Sequence, residues 1–262
     1  MKLISRFGVC WVSAAASLSF VLSGPSWAAT AGDLPSLSGR YNECVAVTEE
    51  DPERAFDEAL IWRDQGGGNP AEHCVAMALL ALGHASEAAV RLDALARENS
   101  GSSEGERSAL MAQAGEAWLL ARRADLAQAS FSAALRLTPR ASEVWAARAR
   151  AHAMDSEWES AEFDLDAAIT FDNANPEFYV LRSAARASLG RDDLAVSDID
   201  AALEIDPNFP DALAERGLMR LAAGNQGGAR EDWIKVLNGA PESAAADVAR
   251  SGIEQMEIHL EP

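Results

Sequence analysis

The sequence predicts an all-α protein: a solenoid of stacked helical repeats closed by a C-terminal capping helix. Three observations predict it. A pattern of small and large apolar residues repeats every 34 residues without gaps from Ser108 to Ser243. Alanine is abundant while aromatics make up 6% of the chain, which suits closely packed helices better than sheets. Proline and glycine recur where helices would have to end.

The first 31 residues stand apart, with 1–28 read as the segment removed. Lys2 and Arg6 form a short basic start, Phe7 to Leu22 is apolar and uncharged, Ser23-Gly24-Pro25 breaks the run, and small residues follow at Ala28, Ala29 and Ala31. This is the three-part layout of a secretory signal peptide, with cleavage expected after Ala28 or after Ala31. The run is short for a retained membrane anchor. Val9 before Cys10 is a poor residue for a lipoprotein signal. No later segment is long and apolar enough to cross a bilayer. Cleavage removes two positive charges, so 20 basic against 41 acidic residues leave the mature chain at −21. Such a chain has no basic face with which to displace counterions from nucleic acid and no polybasic membrane anchor.

Four units follow one another at 108–141, 142–175, 176–209 and 210–243. Position 20 of each is small: Ala127, Ala161, Ala195 and Ala229. Position 24 is large and apolar: Phe131, Leu165, Ile199 and Trp233. Position 27 is Ala134, Ala168, Ala202 and Val236, and position 32 is Pro139, Pro207 and Pro241, with Asn173 interrupting the series. Two more divergent units precede these within 36–102. Asn69 to Ser102 keeps Gly83, Ala88 and Leu92 in register, and Ser36 to Gly68 keeps Ala55 and ends in Gly66-Gly67-Gly68. Five residues around Ser103 to Arg107 are inserted between the second and third units. Asp51-Pro52 reads as a helix start, and Asn69-Pro70 and Asn175-Pro176 as an N-cap followed by a first-turn proline. In the tail, 244–262, Val248, Ile253, Met256 and Leu260 fall on one helical face, as an end cap requires.

With Trp145 and Tyr179 at position 4 and Gly115, Ala149, Ser183 and Gly217 at position 8, this pattern resembles the tetratricopeptide repeat (TPR) family. The resemblance covers roughly residues 36–243 and is strongest over 108–243. It implies two antiparallel helices, A and B, per unit, stacked into a right-handed superhelix. It also implies a partner-binding groove lined by helix A. At the family's groove positions stand Met77, Leu80, Leu119, Leu120, Met154, Val180, Leu181, Leu218 and Leu221, with Glu143, Glu177 and Asp211 at the edge. An apolar floor with an acidic rim suits an apolar or basic segment. Several of these side chains could instead be core between helices. The Lys and Asn residues by which one subtype grips a peptide carboxylate are not present at the matching positions.

In this frame Arg148, Arg182 and Arg216 at position 7 face Asp164, Asp198 and Asp232 at position 23, which implies a ladder of structural ion pairs. The units at 69–102 and 108–141 lack that combination, with Val75 and Arg91 in the first and Ala114 and Ser130 in the second. The two cysteines left after cleavage, Cys44 and Cys74, fall on neighbouring A helices, so a structural disulfide is expected. The four histidines are scattered and make no ligand spacing, so no metal or other cofactor is expected. Phosphate-loop, nucleophile-elbow and zinc-protease motifs are missing, and no catalytic residue is assigned.

The function expected from the sequence is a periplasmic protein–protein interaction module, monomeric on its own. The alternative is a structural subunit of an envelope complex with no exchangeable client. Mass spectrometry of the exported protein should find its N-terminus at Ala29 or Gly32; intact Met1 in the membrane fraction would contradict export.

Overall fold

The computed structural model describes residues 39–98 and 102–258. The expected signal peptide and Leu260 lie outside them. The described residues form helices and no strand. Helix A and helix B alternate along the chain as α1 (Gly39–Glu50) and α2 (Pro52–Trp62), α3 (Gly68–Ala81) and α4 (Ala85–Glu98), α5 (Glu104–Leu120) and α6 (Ala124–Leu137). They continue as α7 (Ser142–Met154) and α8 (Trp158–Phe171), α9 (Pro176–Ser188) and α10 (Asp192–Ile205), α11 (Pro210–Ala222) and α12 (Gln226–Gly239), and end in α13 (Ala244–Ile258). These helices fall into two compact units: an N-terminal one holding α1–α7 and a C-terminal one holding α8–α13.

Local sequence sets several helix ends. Asp51 accepts a hydrogen bond from the Arg54 amide (3.1 Å) ahead of Pro52, and Asn175 accepts one from the Glu177 amide (3.0 Å) ahead of Pro176. Asn69 does not cap α3, contrary to the expectation. That helix already begins at Gly68, after a wide turn over Arg63–Gly67, so Asn69 lies inside its first turn. The insertion before the third unit lengthens α5 at its start, where Ser103 and Glu106 form a reciprocal capping box. Between A and B helices, position 15 must be left-handed. Gly83, Gly190 and Gly224 occupy it with φ of 80°, 71° and 80°, whereas Arg122 (57°) and Ser156 (60°) adopt it without glycine's freedom.

The packing follows the repeat. Gly115 lies over the Phe131 ring and Gly217 over the Trp233 ring, so closely that a Cβ on either glycine would overlap it. Gly252 of α13 closes on the other side of Trp233. Both aromatics are fully buried, as is Leu165, and Trp233 Nε1 donates to the Ala214 carbonyl at 3.2 Å. In the C-terminal unit, Met256, Ala245, Ala246 and Ala249 of α13 are buried against the α11–α12 core, with Val248 and Ile253 partly buried beside them. α13 thus acts as the expected cap.

A disulfide joins Cys44 of α1 to Cys74 of α3 across a Cα separation of 6.4 Å. Beside it, Tyr41 donates from its hydroxyl to His73 Nδ1, and His73 Nε2 donates to Gln113 Oε1, both at 2.7 Å. This chain links α1, α3 and α5. Burial holds the His73 pKa below its ordinary value, so the ring is neutral and both nitrogens are satisfied.

Two rungs of the expected ion-pair ladder, Arg182–Asp198 and Arg216–Asp232, lie within the C-terminal unit, and each is doubled. Arg182 holds Asp198 in a two-bond fork (2.6 and 3.1 Å), and Arg186, one turn later, donates to the same carboxylate at 2.9 Å. Arg216 holds Asp232 likewise (2.9 and 3.0 Å), with Arg220 adding a bond of 2.7 Å. Within the N-terminal unit, Arg148 donates to Ser132 Oγ at 3.1 Å and lies over the Trp145 ring. Asp164, in the C-terminal unit, is buried. The units that lack the motif use other polar pairs. Asp93 of α4 accepts from Trp118 Nε1 (3.0 Å) and Ser130 Oγ (3.1 Å), and Arg91 reaches Glu72 at 2.7 Å.

The doubling changes what a mutation leaves behind. Arg216→Ala alone leaves Asp232 with Arg220 and is expected to cost about 2 kcal/mol. Removing both arginines strands a buried carboxylate and should cost about 3–5 kcal/mol, part of which Asp232→Ala recovers. Urea unfolding of the series checks this; a single variant as damaging as the double would show that Arg220 does not share the charge.

Candidate partner-binding surfaces

The A helices of each unit carry the residues expected to line a groove, and the two units differ. In the N-terminal unit, Met77, Leu80, Leu119 and Met154 are half-buried, and Leu80 and Leu119 pack on the core. They are partly structural. Leu120 is exposed, but it borders the α3–α4 turn, where Gly83 to Glu87 and Ala121 line an open cavity of about 360 Å³. Glu143 is half-buried in the first turn of α7. The charges between α5 and α7 are already matched: Arg150 donates to Glu116 at 2.5 Å, both at position 9 of their units.

In the C-terminal unit, Val180 and Leu181 of α9 and Leu221 of α11 are half-buried, and Leu218 is exposed at 37%. Val180 and Leu221 lean on the core; Leu181 is outside that cluster. Glu177 and Asp211 are exposed in the first turns of α9 and α11, where the positive end of the helix dipole favours a carboxylate. Water reaches Asp211, yet protein crowds its flanks. That desolvation, and then the Glu177 charge, raise its pKa. One turn on, half-buried Glu215 is pushed up to about 7, by desolvation first and by the Asp211 charge second.

Glu215 was not among the sequence-predicted site residues. It stands at position 6, a groove position at which only apolar residues were selected. A carboxylate there, one turn from Asp211, was the signal that could have found it. Among the described residues no cluster of His, Cys, Asp and Glu could hold a metal ion, and no helix is long and apolar enough to cross a membrane.

No family model and no curated protein sequence matches the chain. Solved structures do match in shape. MamA from Desulfovibrio magneticus RS-1 superposes with a TM-score of 0.54 at 18% identity, covering 72% of this chain and 98% of that one. Another MamA crystal structure gives 0.53 at 18% identity over 63% and 93%. YrrB, described as a TPR protein with an unusual peptide-binding site, gives 0.50 at 19% identity over 75% and 98%. The fold is that of the TPR proteins. In the repeats 108–141 and 210–243, positions 8 and 24 meet in the core, as Gly115 with Phe131 and Gly217 with Trp233.

Glu215 provides a direct check on the electrostatics of the α9–α11 surface. Its raised folded-state pKa gives a stability contribution that is complete below the ordinary value of 4.5 and lost as pH rises through about 7. Carboxyl NMR should place its titration near neutrality, and Asp211→Asn should lower it. Melting curves of Glu215→Gln should show less loss of stability across that window than the parent. A Glu215 that titrates like a solvated glutamate would contradict the crowding.

Proposed function

We propose that this chain is an exported protein–protein interaction module of the bacterial periplasm that holds a partner segment on its A-helix surface. The observation that carries the reading is the incomplete burial of Leu181 and Leu218 on helices whose core positions are already filled, by Phe178, Ser183 and Ala185 on α9 and by Ala212, Leu213, Ala214 and Gly217 on α11. Apolar side chains that the fold can bury only in part are available to an apolar anchor from a partner. Within the C-terminal unit, Glu177 and Asp211 then form an acidic edge that favours basic character in that partner. The Cys44–Cys74 bridge suits an oxidising compartment, which supports export. No catalytic chemistry is assigned, and the free protein is a monomer. The YrrB description as peptide-binding is compatible with this reading.

A second reading is favoured by a specific feature of helix B. Phe163 and Phe171 on α8 are exposed at 67% and 39%. A permanent envelope complex that covers them would make the chain a structural subunit without an exchangeable client.

The test is Leu181→Glu in the mature protein, with crosslinking capture of partners in the native envelope and a thermal melt. The proposal expects capture to be lost while the melting temperature barely moves. Unfolding would show that Leu181 is core, since the change would then bury an unpaired carboxylate. Capture that survives in a stable variant but is lost with Phe163→Glu would favour the second reading.

A further inference from the structure

We infer that the α9–α11 face of the C-terminal unit selects a partner segment that places a Lys or Arg side chain beside an apolar one. This rests on the reading that the A-helix surface is the binding surface, and it adds the partner's chemistry.

The argument is one of unmatched charge next to unmatched apolar area. α9 and α11 touch, and they carry Glu177, Asp211 and Glu215 with Leu181 and Leu218. The cations on these two helices are all engaged elsewhere. Arg182 and Arg186 are committed to Asp198, Asp166 and Glu162 on the neighbouring B helices, and Arg216 and Arg220 to Asp232. Neither helix contains a lysine. The three carboxylates are close enough that Glu177 disfavours ionisation of Asp211, and Asp211 that of Glu215.

The N-terminal unit shows the contrasting arrangement. There the acid between α5 and α7, Glu116, has a cation of its own in Arg150. On α9 and α11 no such cation is supplied, so like charges face one another in partly desolvated surroundings until an outside cation enters. An ammonium or guanidinium group held among the three would relieve their repulsion, while its neighbour covers Leu181 and Leu218. An acidic segment would add to the repulsion, and a purely apolar one would leave it in place.

The experiment uses the mature full-length chain and three synthetic probes: a short peptide alternating Leu and Lys, one alternating Leu and Glu, and one alternating Gly and Lys. Affinities are measured by calorimetry at low salt, and the footprint by hydrogen exchange. The Leu–Lys probe should bind with protection on α9 and α11, the Leu–Glu probe should not bind, and the Gly–Lys probe should bind more weakly. Glu177→Gln with Asp211→Asn and Glu215→Gln should weaken the Leu–Lys probe about tenfold, with circular dichroism confirming that the variant is folded. Equal binding of the Leu–Glu probe, equal binding of the Gly–Lys probe, an unchanged affinity in the triple variant, or a footprint elsewhere would each overturn the inference. Leu181→Glu separates the two levels in envelope capture. If it abolishes capture while the triple amide variant does not, the binding surface stands and the basic selectivity falls; if neither affects capture, both fall.

Discussion

The repeats at the two ends of the 108–243 array depend on one contact: a glycine on helix A seated over a large ring on helix B. At Gly115 and Gly217 the rings of Phe131 and Trp233 occupy the space that a Cβ would need. Substituting even alanine would push the helices apart or drive the ring off its rotamer. The contact also sets helix spacing, because a glycine surface lets two backbones approach more closely than any side chain allows. Gly252 repeats the device from α13, so the terminal helix joins the array by the same contact that builds it.

Close helix spacing restricts where polar groups can go, and the buried aspartates show the consequence. Asp198 and Asp232 are almost completely buried, and each is held by two arginines one turn apart on the facing helix. A carboxylate with one partner would keep unsatisfied lone pairs in a low-dielectric interior; with two, most of its acceptor capacity is used. The arrangement orients the arginines of α9 and α11 toward acids of the B helices. Their commitment there leaves Glu177, Asp211 and Glu215 of the same two helices without a counter-charge from α9 or α11. Structural electrostatics on one side of the helix thereby shapes the chemistry offered on the other.

The periodic features were legible in the sequence because each is enforced by a local rule. Position 24 had to be large wherever position 8 was small, and position 15 had to accept a left-handed residue, so glycine or a tolerated substitute recurs. The N-cap at Asn175 was readable because the cap, the proline and the preceding break agree. At Asn69 the same dipeptide misled, since the preceding glycines let α3 start earlier than the cap would dictate. The substitutes for the ion ladder were not legible. Asp93 meeting Ser130 and Trp118, and Arg91 meeting Glu72, are particular to single repeats and leave no period to follow. The second arginine on each aspartate was hidden for a different reason. Arg186 and Arg220 also recur at a spacing of 34, but the pairing at position 7 had already accounted for the aspartates.

The groove residues lie between these cases. Their positions follow from the repeat, but whether each is floor or core depends on how far the neighbouring A helix covers it, which no single unit encodes. Leu80 and Val180 lean into the core although they occupy groove positions, while Leu218 stays open. Charge behaves in the same way. Glu116 and Glu215 are both groove-position acids on A helices, yet Arg150 on the next A helix neutralises the first, and Asp211 one turn back burdens the second. A repeat protein can therefore keep its stacking positions nearly constant and vary its surface through pairs that span adjacent units. Specificity in such a chain resides in the residues that break the period, because every residue that keeps it is already occupied in holding one helix against the next.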